Sequence, residues 1–296
     1  MTYSIVARDP ATGELGVAVQ SHWFSVGSIV PWARSGVGAV ATQAIAEVSY
    51  GPRALALLGE GADAGEALGR LVAEDSGASN RQVAVVDSRG AVAVHTGERC
   101  VRFAGHQLGD GFGCQANMMA SDRVWPAMAD AYASTPGRLA ERLLAALDAG
   151  EAAGGDVRGR QSAGLLVVPA DGDPWSTAVS LRVEDDPEPL RELRRLLVMQ
   201  EAYSLAAEGE RLTEEGRHGD AVEHAVRSWE LAPENPELRF WAGLAMAQAG
   251  MLEQGVEQVR VAIAAHPPWR ELLGRLPPEW APAAPAVLEA LGTGER

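Results

Sequence analysis

The chain has no lysine: all 25 basic residues among its 296 are arginine, set against 40 Asp and Glu. That absence excludes Schiff-base chemistry, a phosphate-loop lysine and a Ser-Lys dyad, so any reaction must run without an ε-amine. Cysteine is nearly as scarce. Cys100 and Cys114 are too few for a disulfide framework, and with no CxxC and no Cys/His cluster they do not resemble a zinc site. Both read as small apolar side chains, buried or half-buried. No two histidines stand at metal-ligand spacing, so neither a metal nor any other cofactor is expected.

Long apolar runs are missing too. Nothing approaches the roughly 18 residues a membrane span needs, and the opening MTYSIVARDP carries no basic head followed by an apolar stretch. A cytoplasmic address without a membrane role is expected. A formal net charge of −15 repels phosphate backbones, and no basic stripe offsets it, so nucleic acid is not an expected partner.

What is present divides in two. Residues 1–195 hold 17 Arg and 24 acids, and residues 196–296 hold 8 Arg and 16, so the tail is the more acidic part per residue. Composition shifts at the same place, from Gly-rich β-like runs mixed with helices to a stretch rich in Ala, Glu and Leu. The tail repeats with a period of 34: Gly209 with Gly243, Gly216 with Gly250, Val222 with Val256, Glu223 with Glu257, Pro233 with Pro267. Units of about 202–235 and 236–269, with small residues Ala221 and Gly255 opening the second helix, resemble tetratricopeptide repeats. Two such units cannot cover both of their end faces, so capping helices are expected on either side. The tail is read either as a groove for a protein partner or second subunit, or as an extension of the fold.

In the first part, Ser4 to Ala7 and Leu15 to Gln20 flank the turn-forming Asp9-Pro10-Ala11-Thr12-Gly13 and predict a hairpin. A second hairpin is expected over Gln82 to His95, with further strands at Val37 to Gln43, Gly113 to Ala116, Gly164 to Val168 and Thr177 to Arg182. Helical patterns fall at Gly51 to Leu58, Ala64 to Glu74, Asp122 to Ala133 and Arg138 to Leu147. Helix pairs between groups of antiparallel strands suggest an α+β domain of four layers, αββα. A Rossmann fold fits worse, since strict βαβ alternation and GxGxxG are missing.

Thr2 is the first candidate for chemistry. Methionine aminopeptidase removes a Met1 that precedes a small residue, leaving a hydroxyl and a free α-amine on Thr2. Such an amine titrates near about 7.7–8.0 and can take the hydroxyl proton at neutral pH. The opening TYSIVARDPATGELGVAVQS, then VPWARSGVGAVATQ (Val30 to Gln43), YGPR (Tyr50 to Arg53) and GGDVRGRQSA (Gly154 to Ala163), resembles the bacterial domain-of-unknown-function family 1028. That resemblance covers residues 2 to about 195 and implies an N-terminal-nucleophile (Ntn) hydrolase fold. The chain departs from the family where Gln-Gly-Asn-Met becomes Gln115-Ala116-Asn117-Met118. It departs again where Asp-Asp-His-Pro becomes Glu184-Asp185-Asp186-Pro187, which removes a histidine.

An amide hydrolase needs donors for the developing oxyanion. Asn117 is the expected side-chain donor, and Gln43 and Thr42, ending an apolar strand, are expected to reach the cleft. In Gly155 to Ser162, Arg158 or Arg160 could grip an acidic substrate, with Asp156 orienting one of them or holding the Thr2 amine. His22, at the end of the second strand, could line the cleft. The sequence thus points to an Ntn amide hydrolase for a small, acidic or amino-acid-derived amide, in a homo-oligomer. Its rival is a non-catalytic assembly or ligand-binding module whose tail recruits a partner.

Overall fold

The structure, a computed structural model, describes residues 2–293. The expected removal of Met1 therefore lies outside the described residues. The chain divides after Arg195 into two compact units.

The first unit opens on β1 (Thr2–Arg8) and β2 (Leu15–Ser21), paired antiparallel. Their turn is held by the Asp9 carboxylate, which accepts the Ala11 N–H at 2.8 Å, and by Gly13 at φ 75°. Next come β3 (Pro31–Arg34), β4 (Gly38–Ala44), α1 (Tyr50–Gly59), α2 (Ala64–Glu74), β5 (Arg81–Asp87) and β6 (Val92–Thr96). A second series follows: β7 (Gly105–Gly109), β8 (Phe112–Asn117), α3 (Val124–Ser134), α4 (Leu139–Ala152), β9 (Ser162–Val168) and β10 (Val179–Val183). One sheet runs β10-β9-β2-β1-β8-β7 and the other β3-β4-β5-β6, each antiparallel throughout.

The two sheets face each other across an apolar layer in which Val6, Leu15, Val17 and Val19 meet Ala39, Ala41, Ala84 and Val86. Strand periodicity sends alternate residues outward. On one side Gly16 lies so close to α4 that a Cβ there would come within 2.6 Å of Leu143. On the other, Val40, Val83 and Val85 pack against Leu55, Leu58 and Leu68 of α1 and α2. Helices, sheet, sheet and helices make four layers.

Two strands escaped the sequence reading, β3 and β7. Each is at the edge of its sheet and half-buried, and each carries a residue that weakens strand signals, Pro31 in one and Gly105 and Gly109 in the other.

The helix α5 (Pro189–Glu214) gives its first turns to the first unit and the rest to the second, which continues with α6 (His218–Leu231), α7 (Pro236–Gln248), α8 (Leu252–Ala265), α9 (Pro268–Leu273) and α10 (Ala284–Thr293). The 34-residue recurrence is visible as a repeated backbone contact. A Cβ on Gly209 would lie 3.2 Å from the Ala221 carbonyl, and one on Gly243 would lie 2.7 Å from the carbonyl of Gly255. Gly216 and Gly250, at φ 75° and 86°, end the first helix of each pair. Phe240, Val259, Leu273 and Val287 join α7 through α10 in one core. Among the described residues no helix is long and apolar enough to cross a membrane.

Candidate functional site

Along β1 the residues Thr2, Ser4 and Val6 face the space between the sheets, while Tyr3, at the helix side, donates its hydroxyl to Glu151 at 2.8 Å. The space between the sheets changes character along this strand. At the Val6 end it is filled by valine and alanine; at the Thr2 end it is filled by side-chain amides.

These amides form one buried network. Gln43 donates to the Thr2 carbonyl oxygen (3.1 Å) and to Gln82 Oε1 (2.8 Å), and its own Oε1 accepts the Ser4 hydroxyl at 2.7 Å. Asn117, directly opposite Thr2 across the β1–β8 ladder, donates to the same Thr2 carbonyl at 3.4 Å and to Gln82 Oε1 at 2.9 Å. The Gln82 amide nitrogen is fixed in turn by the carbonyls of Ala116 (2.9 Å) and Gly105 (3.1 Å) and by Thr96 Oγ1 (3.0 Å). Thr2 Oγ1 donates to Ser21 Oγ, 3.1 Å away at the end of β2. A side-chain polar group left unpaired here would lose its hydration with no return, so the network holds its members in one arrangement.

Thr2, Gln43 and Asn117 border a cavity of about 450 Å³. Its walls come from the segment after β2, the segment after β4, the connection from β6 to β7, the end of β8 and the loop before β9. Gln43 and Asn117 are each followed by a residue in the left-handed region, Ala44 at φ 71° and Met118 at φ 58°, both lining the cavity. A Cβ makes this conformation costly, on the order of 1–3 kcal/mol per residue, and it persists only where surroundings impose it. Ser25 at φ 56°, just before the lining residue Val26, completes the set of such non-glycine residues among those described.

The other expected site residues sort clearly. Arg158 reaches the cavity wall, anchored by two guanidinium bonds to Asp156, 3.2 and 2.9 Å long. The buried Asp156 carboxylate also accepts the backbone N–H groups of Arg158 (2.9 Å) and His22 (3.1 Å), so its acceptor sites are given over to holding this loop. Thr42, the neighbour of Gln43, faces the opposite side of its strand and donates to the Glu47 carbonyl at 3.1 Å. Arg160 pairs with Glu188 (2.7 Å) and Glu151 (3.4 Å) and lines a different cavity, beside α4. The His22 ring meets the Arg160 carbonyl at 3.2 Å and does not line the Thr2 cavity. Thr42, Arg160 and His22 are not among the residues that line the Thr2 cavity.

Ser21, Gln82, Ser4 and Gln115 were not singled out in sequence. Their signal was present: each is a polar residue in a mostly apolar strand, and each is fully buried. Cys100 also lines the cavity, and burial raises its thiol pKa above the ordinary value.

No curated protein matches the chain. Among solved structures, Anbu (ancestral beta-subunit) from Yersinia bercovieri aligns with 13% identity over 66% of this chain and 92% of its own, with a TM-score of 0.34. A crystal structure from Silicibacter pomeroyi, itself a member of DUF1028, aligns with 32% identity over 66% of this chain and 84% of its own, with a TM-score of 0.61. Residues 2–193 match the family of unknown function DUF1028. The chain belongs to that family.

Proposed function

We propose that this protein is an Ntn-type amide hydrolase in which Thr2, exposed as the first residue by removal of Met1, is the nucleophile. The observation that carries the reading is the clamp on Thr2, a residue that lines the cavity: its carbonyl is gripped from both sheets, by Gln43 and Asn117, and its hydroxyl donates to Ser21. Once Met1 is removed, this clamp holds the new terminal residue in place, as chemistry at Thr2 requires. The four-layer arrangement, with β1 inside the six-stranded sheet, fits an Ntn-type fold.

In this reading the Thr2 Oγ attacks the amide carbonyl carbon and its proton passes to the α-amine, which acts as base. The amine returns a proton to the leaving nitrogen as the C–N bond breaks, leaving an ester on Thr2. Water then adds to that ester, the Oγ–C bond breaks, and a carboxylic acid leaves. Both Asn117 amide hydrogens are directed at Thr2 and Gln82, so Asn117 positions the nucleophile. The oxyanion donor falls instead to the backbone: the N–H of Ala46, in the cavity wall, meets no acceptor among the described residues. Arg158, fixed in the cavity wall by its pairing with Asp156, is placed to meet the carboxylate of an acidic or amino-acid-derived substrate.

The second unit we read as tetratricopeptide-like repeats, on the strength of the recurring contact of Gly209 with Ala221 and of Gly243 with Gly255. A protein partner is its proposed use.

Intact mass of the purified protein is the first test, and Met1 should be absent. Turnover of an amide panel should then fall on the order of a thousandfold in Thr2→Ala and return in part with Thr2→Ser. Full activity in Thr2→Ala would move the chemistry to another residue.

A further inference from the structure

The Thr2 cavity combines two features that together specify a ligand. The first is charge. In a chain with 40 acids against 25 arginines, the charged side chains lining this cavity are two arginines, Arg99 and Arg158. Carboxylates lie close in sequence but are turned elsewhere. Glu47 accepts the Ser49 N–H at 3.1 Å, Asp156 is buried behind Arg158, and neither these two nor Glu98 lines the cavity. Arg99 is exposed, and its guanidinium meets no acceptor among the described residues.

The second feature is an apolar wall. Trp23, Val26, Ile29, Val30, Ile45 and Val48 all line the cavity, and Trp23 and Ile45 stand 56% and 66% exposed at its mouth. Large apolar side chains left in water at the rim of a concave site mark a place where something apolar settles.

Hydrogen bonds show how the walls are assembled. On the apolar side, the Thr42 N–H donates to the Val30 carbonyl (3.2 Å) and the Thr42 hydroxyl to the Glu47 carbonyl (3.1 Å), which ties segment 26–30 to segment 44–48. On the cationic side, the Met118 N–H donates to Val101 O (2.9 Å) and the Val157 N–H to Met118 O (3.3 Å), which ties the segments bearing Arg99 and Arg158 to the end of β8. Thr2, Gln43 and Asn117 border the cavity that the two walls share.

We infer that the ligand of this cavity is an N-acyl amino acid with a long apolar acyl chain, its carboxylate held by Arg99 and Arg158 and its chain laid against Trp23, Ile45 and the valines. As a substrate assignment this rests on the reading of Thr2 as nucleophile. As a binding assignment it stands on the two walls. Hydrolysis would consume one water, break the amide C–N bond and release a fatty acid and a free amino acid.

The test separates binding from turnover. Calorimetry on Thr2→Ala compares N-decanoylglycine, which has both features, with N-acetylglycine and decanamide, which have one each. Each buried methylene improves binding by roughly fourfold. With only part of the chain covered, N-decanoylglycine should bind about 30-fold or more tighter than N-acetylglycine, and about 10-fold tighter than decanamide through its carboxylate. Arg99→Gln should remove most of the second advantage and leave the first. Equal affinity for all three, or binding unaffected by Arg99→Gln, would overturn the inference. Wild-type turnover is read separately: selective binding with no hydrolysis would sink the hydrolase reading and leave the ligand assignment intact. Hydrolysis of N-acetylglycine as fast as N-decanoylglycine would do the reverse.

Discussion

The side-chain amide of Gln43 donates to the carbonyl oxygen of Thr2 across the gap between the two sheets, 3.1 Å away. The bond joins the penultimate residue of β4 to the first residue of β1, and it is repeated from the neighbouring strand by Asn117. Thr2 is thereby placed by side chains as well as by its own ladder.

Gln43→Ala should accordingly damage both stability and function. It strips a partner from Thr2, Ser4 and Gln82 in a buried setting, which should cost about 3 kcal/mol. Chemical denaturation reads the stability. Because the position of Thr2 changes, kcat should fall more than KM rises if the hydrolase reading holds.

Two glycines of the second unit give a paired test. A Cβ on Gly255 would sit 2.4 Å from the Gly243 carbonyl and 2.8 Å from the Ala247 nitrogen, and neither backbone atom can step aside. Gly255→Ala should destabilise this unit by about 2–3 kcal/mol. Gly219, in α6, has nothing within 4 Å of a Cβ, so Gly219→Ala should stabilise by about 0.5–1 kcal/mol. Thermal unfolding of the two variants should move in opposite directions.

How far the sequence alone could lead is clear from particular residues. Apolar strands around a turn made β1 and β2 legible, and the helical pattern at Ala64 to Glu74 matched α2 to the residue, a helix the structure opens with a capping box of Asp63 and Glu66. The edge strands β3 and β7 were not, since proline, glycine and half-burial erase the alternation on which strand reading depends. At the site, Gln43 and Asn117 were singled out as polar residues near strand ends and Thr2 for the amine that loss of Met1 leaves on it, and all three border one cavity. Thr42 was misplaced because adjacent strand residues face opposite ways, and only the register tells which of two polar neighbours turns inward. The role of Gln82 required the third dimension, for it meets Gln43 and Asn117 from strands in both sheets.

The cysteines should label unequally. Cys114 is fully buried in β8, which raises its thiol pKa far above the ordinary value, while Cys100 lies half-buried in the cavity wall with a smaller rise from the same cause. N-ethylmaleimide on the native protein should modify Cys100 alone, more slowly than a free thiol at pH 8 and faster as the pH rises. Peptide mass mapping reads the site, and a ligand in the cavity should slow the labelling.

Alkaline pH should loosen the fold through its tyrosines. Burial pushes the phenols of Tyr50 and Tyr132 up to about 12, with Asp75 adding to the rise at Tyr50, and holds that of Tyr3 well above its ordinary value, with Glu151 adding there. A group whose folded pKa is raised contributes stability that is whole below the unfolded value, about 10, and is lost as pH climbs through the folded one. Unfolding free energy should therefore fall between pH 10 and about 12. Ultraviolet titration should show these phenols ionising late.

The nucleophile itself is tested most directly by trapping it. Wild-type protein is mixed with p-nitrophenyl decanoate, quenched in acid within the first turnover and digested for peptide mass mapping. The N-terminal peptide should begin at Thr2 and carry one decanoyl group on that residue. An N-terminal peptide that still begins at Met1 and carries no acyl group, or an acyl group found on another residue, would contradict the assignment of Thr2.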